Sequence, residues 1–170
     1  MATPTLVATA GTSNANTYAT LVQAAAYIDA RLHVGNWTNA TSDDKNKGLL
    51  WATSLLDDLV TWYGWKSTTG QALRWPRTGV YDMDGQSISS TAIPQFLIDA
   101  TAEFAFQLLA EDRTLETNRD LMGFESLKVG PLSMKVDPNT KKPILPTSVQ
   151  NIIRYYTPSS GKQNKTLVRL

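Results

Sequence analysis

The chain has no cysteine and one histidine among its 170 residues. The first absence excludes disulfide frameworks, thiolate zinc sites and cysteine nucleophiles, and makes a cytosolic origin comfortable. The second leaves His33 as the only imidazole around which a catalytic triad could be built, and no Gly-x-Ser-x-Gly elbow accompanies it. A phosphate-cradling glycine loop and a His-Glu-x-x-His pattern are missing too. No apolar run approaches the roughly 20 residues needed to cross a bilayer. Met1 to Ala10 lacks the basic start and apolar stretch of a signal peptide, so the Asn-x-Thr patterns at Asn36, Asn39 and Asn164 carry no weight as glycosylation sites. The expectation is a protein that is not an enzyme, holds neither cofactor nor metal, and does not enter a membrane.

What is present is ordinary globular material, 42% hydrophobic and 18% charged, in a length that suits one domain with its own core. The net charge of +1 hides an uneven distribution. Residues 1 to 137 hold ten Lys/Arg against fifteen Asp/Glu, a net of −5, whereas 138 to 170 hold six and none, a net of +6. A basic terminus on an acidic body can meet nucleic acid or an acidic protein, and charge alone does not choose between them.

Residues 1–19, rich in Ala, Thr, Ser and Asn, read as an extended arm before the capping box Thr20-Leu21-Val22-Gln23. A first helix is predicted from Leu21 to His33, with Ala24, Tyr27, Ile28 and Leu32 on one face, Asp29 and Arg31 outward, and Gly35 closing it. Ser42-Asp43-Asp44 starts a second helix that runs to about Tyr63, with Leu49, Ala52, Leu56 and Leu59 as its core stripe. Gly64 to Ala92 lacks periodicity and reads as a long loop, of a kind that usually binds something. Ile93-Pro94 opens the strongest helix, which reaches about Arg113 on a broad apolar face. Leu127 to Val136 suits a small hairpin around Gly130-Pro131, and Pro146 starts a last short helix with Val149, Ile152, Ile153 and Tyr156 on one face. The expected architecture is a mainly α bundle of three to four helices over residues 20–157, with a long inter-helix loop, a hairpin at about 127–136, and an extended tail over 158–170.

Few residues suggest chemistry. His33 reads as a helix-end residue favoured by the dipole. Asp82-Met83-Asp84-Gly85 superficially matches a calcium loop, but aligning Gly85 on the turn glycine puts Val80 and Thr91 where the first ligand and the bidentate glutamate belong. Asp57 and Asp58 are adjacent on a helix and splay apart. Glu103, on a mostly apolar helix, reads as a rim or subunit-contact residue before a catalytic acid. Trp75-Pro76-Arg77 is more informative, because a large aromatic sits between Arg74 and Arg77, either plugging the core or forming a subunit contact with Trp65. Trp65, Trp75, Arg74 and Arg77 also describe a single-strand-binding surface, which the acidic body disfavours.

The succession Asn16-Thr17-Tyr18-Ala19-Thr20-Leu21, Ala26-Tyr27-Ile28-Asp29-Ala30-Arg31, Trp51 to Asp57, and Leu73-Arg74-Trp75-Pro76-Arg77-Thr78-Gly79 before Ile93-Pro94 carries a resemblance. The chain resembles the phage head-to-tail adaptor (connector) family, some of whose members carry a DnaT-like single-strand-binding label. The resemblance covers about residues 16 to 112, with Trp-Pro-Arg-x-Gly before Ile-Pro its most specific element. It implies a virion protein assembled in the host bacterial cytoplasm, a homo-oligomeric ring of commonly twelve copies below the portal protein. It further implies a tail or nozzle protein on the opposite face and a channel in transient contact with double-stranded DNA. On that reading the carboxyl-terminal tail docks on the portal through Lys162, Lys165, Leu167, Val168, Arg169 and Leu170. The thirteen residues from Pro158 to Leu170 extend to roughly 43 Å at about 3.3 Å each.

Overall fold

The computed structural model describes residues 4–115, 126–129, 132–135 and 143–158, and over these the fold is mainly helical. The first helix, α1 (Leu21–Asp29), begins where the sequence places it. The Thr20 hydroxyl accepts from the Gln23 amide at 3.2 Å, and the Gln23 side-chain oxygen accepts from the Thr20 amide at 2.8 Å, so two donors at the helix start are satisfied reciprocally. Ala24 and Ile28, one turn apart, are buried. The helix stops four residues before His33, which itself takes a left-handed conformation at φ 62° and lies exposed in a turn. Gly35 starts a short helix, α2 (Gly35–Asn39), instead of closing the first. Trp37 on this helix is buried in the core.

Helix α3 (Ser42–Leu59) is capped by Thr41, whose hydroxyl accepts from the Asp44 amide at 3.1 Å, with Asp43 and Asp44 in the first turn. Gly48, Leu49, Ala52, Thr53 and Leu56 form its buried face. The helix ends four residues short of the predicted Tyr63. Val60 adopts an extended conformation that carries Trp62 into the core, leaving Leu59 outside the stripe and 45% exposed.

Helix α4 (Gln95–Ala110) is the centre of the molecule. Pro94 precedes it in an extended conformation, and the helix is buried almost all round from Leu97 to Ala105. A helix with so little exposed face must be covered on several sides, and α1, α2 and α3 all pack against it. A further helix, α5 (Thr147–Ile153), adds Val149 and Ile153 to the same core and runs into a 3₁₀ turn at Arg154–Tyr156. Gly48 of α3 faces Ala105 of α4, where an added Cβ would sit 3.6 Å from Ala105 Cβ, at ordinary van der Waals distance.

The loop between α3 and α4 contains two short ladders. Strand β1 (Trp65–Lys66) pairs antiparallel with β2 (Arg77–Thr78), and Tyr81 bridges Ser87. The expected hairpin is present as β3 (Ser126–Val129) paired with β4 (Leu132–Lys135), Val129 opposite Leu132.

The amino-terminal residues differ from the sequence expectation. They are no arm: from Pro4 onward they lie on the body. The Asn16 side chain holds Val7 and Thr5, Asn46 reaches the Pro4 carbonyl at 3.2 Å, and the Ala72 amide donates to Thr12. Thr17, Tyr18 and Ala19 are buried. A polar sequence without periodicity looks like an arm, yet it packs when its backbone groups find partners on the body.

Gly64 turns the chain from α3 into β1 at φ 68°, and an added Cβ would collide with the Thr78 carbonyl and lie 2.8 Å from Val80 Cγ2. Gly64→Ala is expected to cost more than the roughly 1–2 kcal/mol of left-handed strain alone. Gly85→Ala, at φ 78° in open space, should show only the strain, and Gly70→Ala, also in open space, should be nearly neutral. Urea denaturation of the three variants checks that order, and a Gly64→Ala protein no less stable than Gly85→Ala contradicts it.

Candidate functional site

The loop that carries Trp75-Pro76-Arg77 is held from three sides. Trp75 is 1% exposed and meets Trp62 edge-on, ring centroids 5.7 Å apart, and Phe96 edge-on at 5.5 Å. Phe96 in turn stacks on Tyr156. The end of α3, the loop, the start of α4 and the 3₁₀ turn thus share one aromatic cluster, each contact contributing about 0.5–1.5 kcal/mol beyond burial. The Trp75–Pro76 peptide is cis.

Arg77 points inward along the same loop. Its Nε donates to the Tyr63 carbonyl at 2.6 Å, Nη2 to the Gly64 carbonyl, and Nη1 to the Arg74 carbonyl at 3.2 Å. Gln71, 3% exposed, does similar work: its oxygen accepts from the Thr68 amide at 3.0 Å, and its nitrogen donates to Leu73 and Pro76 carbonyls at 2.9 and 3.0 Å. Nothing in the sequence marks Gln71, since a glutamine beside Gly70 looks like any polar loop residue.

The third hold is a polar triangle. The Tyr18 phenol donates to the Asp57 carboxylate, and the Arg74 amide donates to both, at 3.1 Å each. Burial and the adjacent carboxylate push the phenol far up, so it stays a donor. Burial pushes the Asp57 carboxyl up, against the opposing hydrogen bonds from Tyr18 and the Arg74 amide. Asp58, its neighbour, is exposed and takes no part.

Glu103 is neither a rim nor a subunit-contact residue. It is buried, pairs with Arg31, and accepts from Gln107 at 3.1 Å. Arg31, expected to look outward, folds back over the Phe106 ring at 4.5 Å from its centroid and pins the end of α1 to α4. The Asp82–Gly85 segment is a turn whose own amides occupy the Asp82 carboxylate, Asp84 at 3.0 Å and Gln86 at 2.7 Å.

Of the four loop residues singled out, Trp75 and Arg77 are therefore core and brace, and the structure does not bring them together with Trp65 on one surface. Trp65 is 73% exposed with its ring against Gly79, and the Arg74 side chain is exposed. Other large side chains stand exposed as well, Tyr63, Tyr81, Met83 and Tyr155 among them, and sequence reasoning missed them. The tail residues Lys162, Lys165, Leu167, Val168, Arg169 and Leu170 lie outside the described residues.

Fold and site together define a small helical-bundle protein in which Trp75, Arg77 and Gln71 are spent on holding the loop. Its sequence matches, over residues 5–170, the family described as "Putative DnaT-like ssDNA binding protein", and the chain belongs to that family. No curated protein and no solved structure matches it.

The raised Asp57 carboxyl has a consequence for stability. A group whose folded-state pKa lies above its unfolded value favours the fold when protonated, so its contribution is full below the usual 3.8 and is lost as pH rises through the folded value. The stability of the natural chain relative to Asp57→Asn is therefore expected to fall as pH rises from the usual 3.8 toward neutrality, read by denaturant unfolding at each pH. A flat difference across that range counts against it.

Proposed function

We propose that the chain is a structural virion subunit, a head-to-tail adaptor that forms a ring below the portal and joins the head to the tail, leaving a channel for DNA. One observation carries this reading. Trp75 and Arg77 turn inward to hold the loop, while large apolar side chains stand exposed on the surface, Trp65 and Met83 among them. Surface of that kind is what a subunit presents to neighbours. The resemblance in sequence supplies the rest: about twelve copies, the portal on one side, a tail or nozzle protein on the other. The basic, apolar-tipped tail suits strand addition or pocket filling on an acidic portal surface. A body with net −5 over residues 1 to 137 suits a conduit, because DNA slides through without being held by counterion release. On this reading the chain has no catalytic role and needs no cofactor.

A second reading, single-strand DNA binding, is favoured by the description of the family. The geometry leaves it Trp65 and Arg74 with Lys66, since Trp75 is buried and Arg77 is engaged with backbone carbonyls. Electron microscopy of the chain mixed with the portal protein of the same virus is expected to show a closed ring, and removal of residues 158–170 to weaken attachment without lowering the unfolding temperature. A truncated chain that binds portal with full affinity contradicts the tail assignment. In parallel, oligonucleotide binding that weakens steeply between about 50 and about 200 mM salt and is lost in Trp65→Ala would replace the adaptor reading with the second.

A further inference from the structure

Three stretches of chain meet at the end of the bundle where α3 finishes and α4 begins. Tyr63, Gly64 and Trp65 follow α3, and Gly79 to Met83 return past them, with Val80 against Gly64 and the Trp65 ring against Gly79. The 3₁₀ turn is the third, because the Tyr63 amide donates to the Tyr156 carbonyl at 3.1 Å and Tyr156 stacks on Phe96. Burial and the nearby Asp82 carboxylate both raise the Tyr156 phenol. Between them these stretches carry Tyr63, Trp65, Tyr81, Met83 and Tyr155, all exposed. Large apolar side chains gathered at one end mark an interaction surface. Its rim is acidic on one side, since residues 78–94 hold Asp82 and Asp84 and no Lys or Arg. One Asp82 carboxylate oxygen takes the Asp84 and Gln86 amides, and the exposed Asp84 carboxylate has no hydrogen bond or ion pair among the described residues. The basic neighbours are engaged locally, Lys66 with the Gln71 carbonyl at 3.2 Å and Arg154 over the Tyr155 ring.

We propose that residues 166–170 of the same chain cover this surface in the free protein, their apolar side chains over Trp65, Tyr81 and Met83 and their flanking cations toward Asp82 and Asp84. The place where the described chain leaves the body supports this. Pro158 lies two residues past Tyr156, so the tail starts at the rim of the surface it would cover. Its composition is complementary. Residues 159–170 carry Lys162, Lys165 and Arg169 and no acidic residue, and Leu167, Val168 and Leu170 supply an apolar tip. The nine residues from Pro158 to Leu167 extend to roughly 30 Å at about 3.3 Å each, enough to turn back over the end of the bundle. Tethering favours the chain's own tail over that of a second copy, because a segment anchored beside its site meets it at an effective concentration in the millimolar range. The inference stands apart from the adaptor reading. Where both hold, the tail has to leave Trp65 before it can reach the portal.

The absence of cysteine makes the test clean. Met83→Cys and Leu167→Cys are combined in one full-length chain, and the rate of intramolecular disulfide closure is followed under mild oxidation in dilute solution. Val22→Cys with Leu167→Cys is the control, Val22 being exposed on α1. The Met83→Cys/Leu167→Cys chain is expected to close about tenfold faster than the control. Adding Trp65→Ala or Asp84→Lys, both at exposed positions, should bring its rate down toward the control while the unfolding temperature stays the same. Equal rates for the two pairs, or a rate that neither added substitution changes, would overturn the site. Linked dimers as the main product, their share rising with protein concentration, would overturn the assignment to the same chain and place the tail on a second copy. Fast closure in a chain that never attaches to portal leaves this inference standing and removes the portal role of the tail. Portal attachment without fast closure does the reverse.

Discussion

Burying Trp75 obliges the loop around it to find partners for its backbone inside the protein, because a buried carbonyl or amide left unpaired costs about as much as the hydrogen bond it lacks. Arg77 and Gln71 meet that obligation. Between them they serve the carbonyls of Tyr63, Gly64, Leu73, Arg74 and Pro76, and the amide of Thr68. Tyr18 and Asp57 take the Arg74 amide. The rest of the architecture leans on this arrangement. It fixes where α3 must end, brings Trp62 onto Phe96, and draws the amino-terminal residues onto the body.

The same economy decides what remains for interaction. An arginine that gives three of its five N–H donors to backbone carbonyls is held in place by the loop, and a tryptophan at 1% exposure presents no ring face to a base. Glu103 and Arg31 are likewise engaged with each other, Gln107 and the Phe106 ring. The central α4 meanwhile has α1, α2, α3 and α5 packed around it.

The beginnings of α1, α3, α4 and α5 were legible in the sequence because their start signals are local, whereas α2, without a side-chain cap, was not. Thr20 and Gln23 find each other across one turn whatever the rest of the chain does, and Pro94 and Pro146 pre-set the entry to α4 and α5. Apolar spacing likewise determined that α4 is the broad buried helix, and Gly130-Pro131 between alternating residues determined the β3–β4 pair. Helix ends and side-chain directions were decided by tertiary contacts. Arg31 meets Glu103 across 72 positions and Arg74 meets Tyr18 across 56, so no window on the chain contains both partners. The same holds for Trp75-Pro76-Arg77, on which the sequence reading centred. The sequence could say that this loop matters, but only partners distant in the chain decide that it faces inward, since a side chain turns toward whichever group satisfies it and that group is not its neighbour.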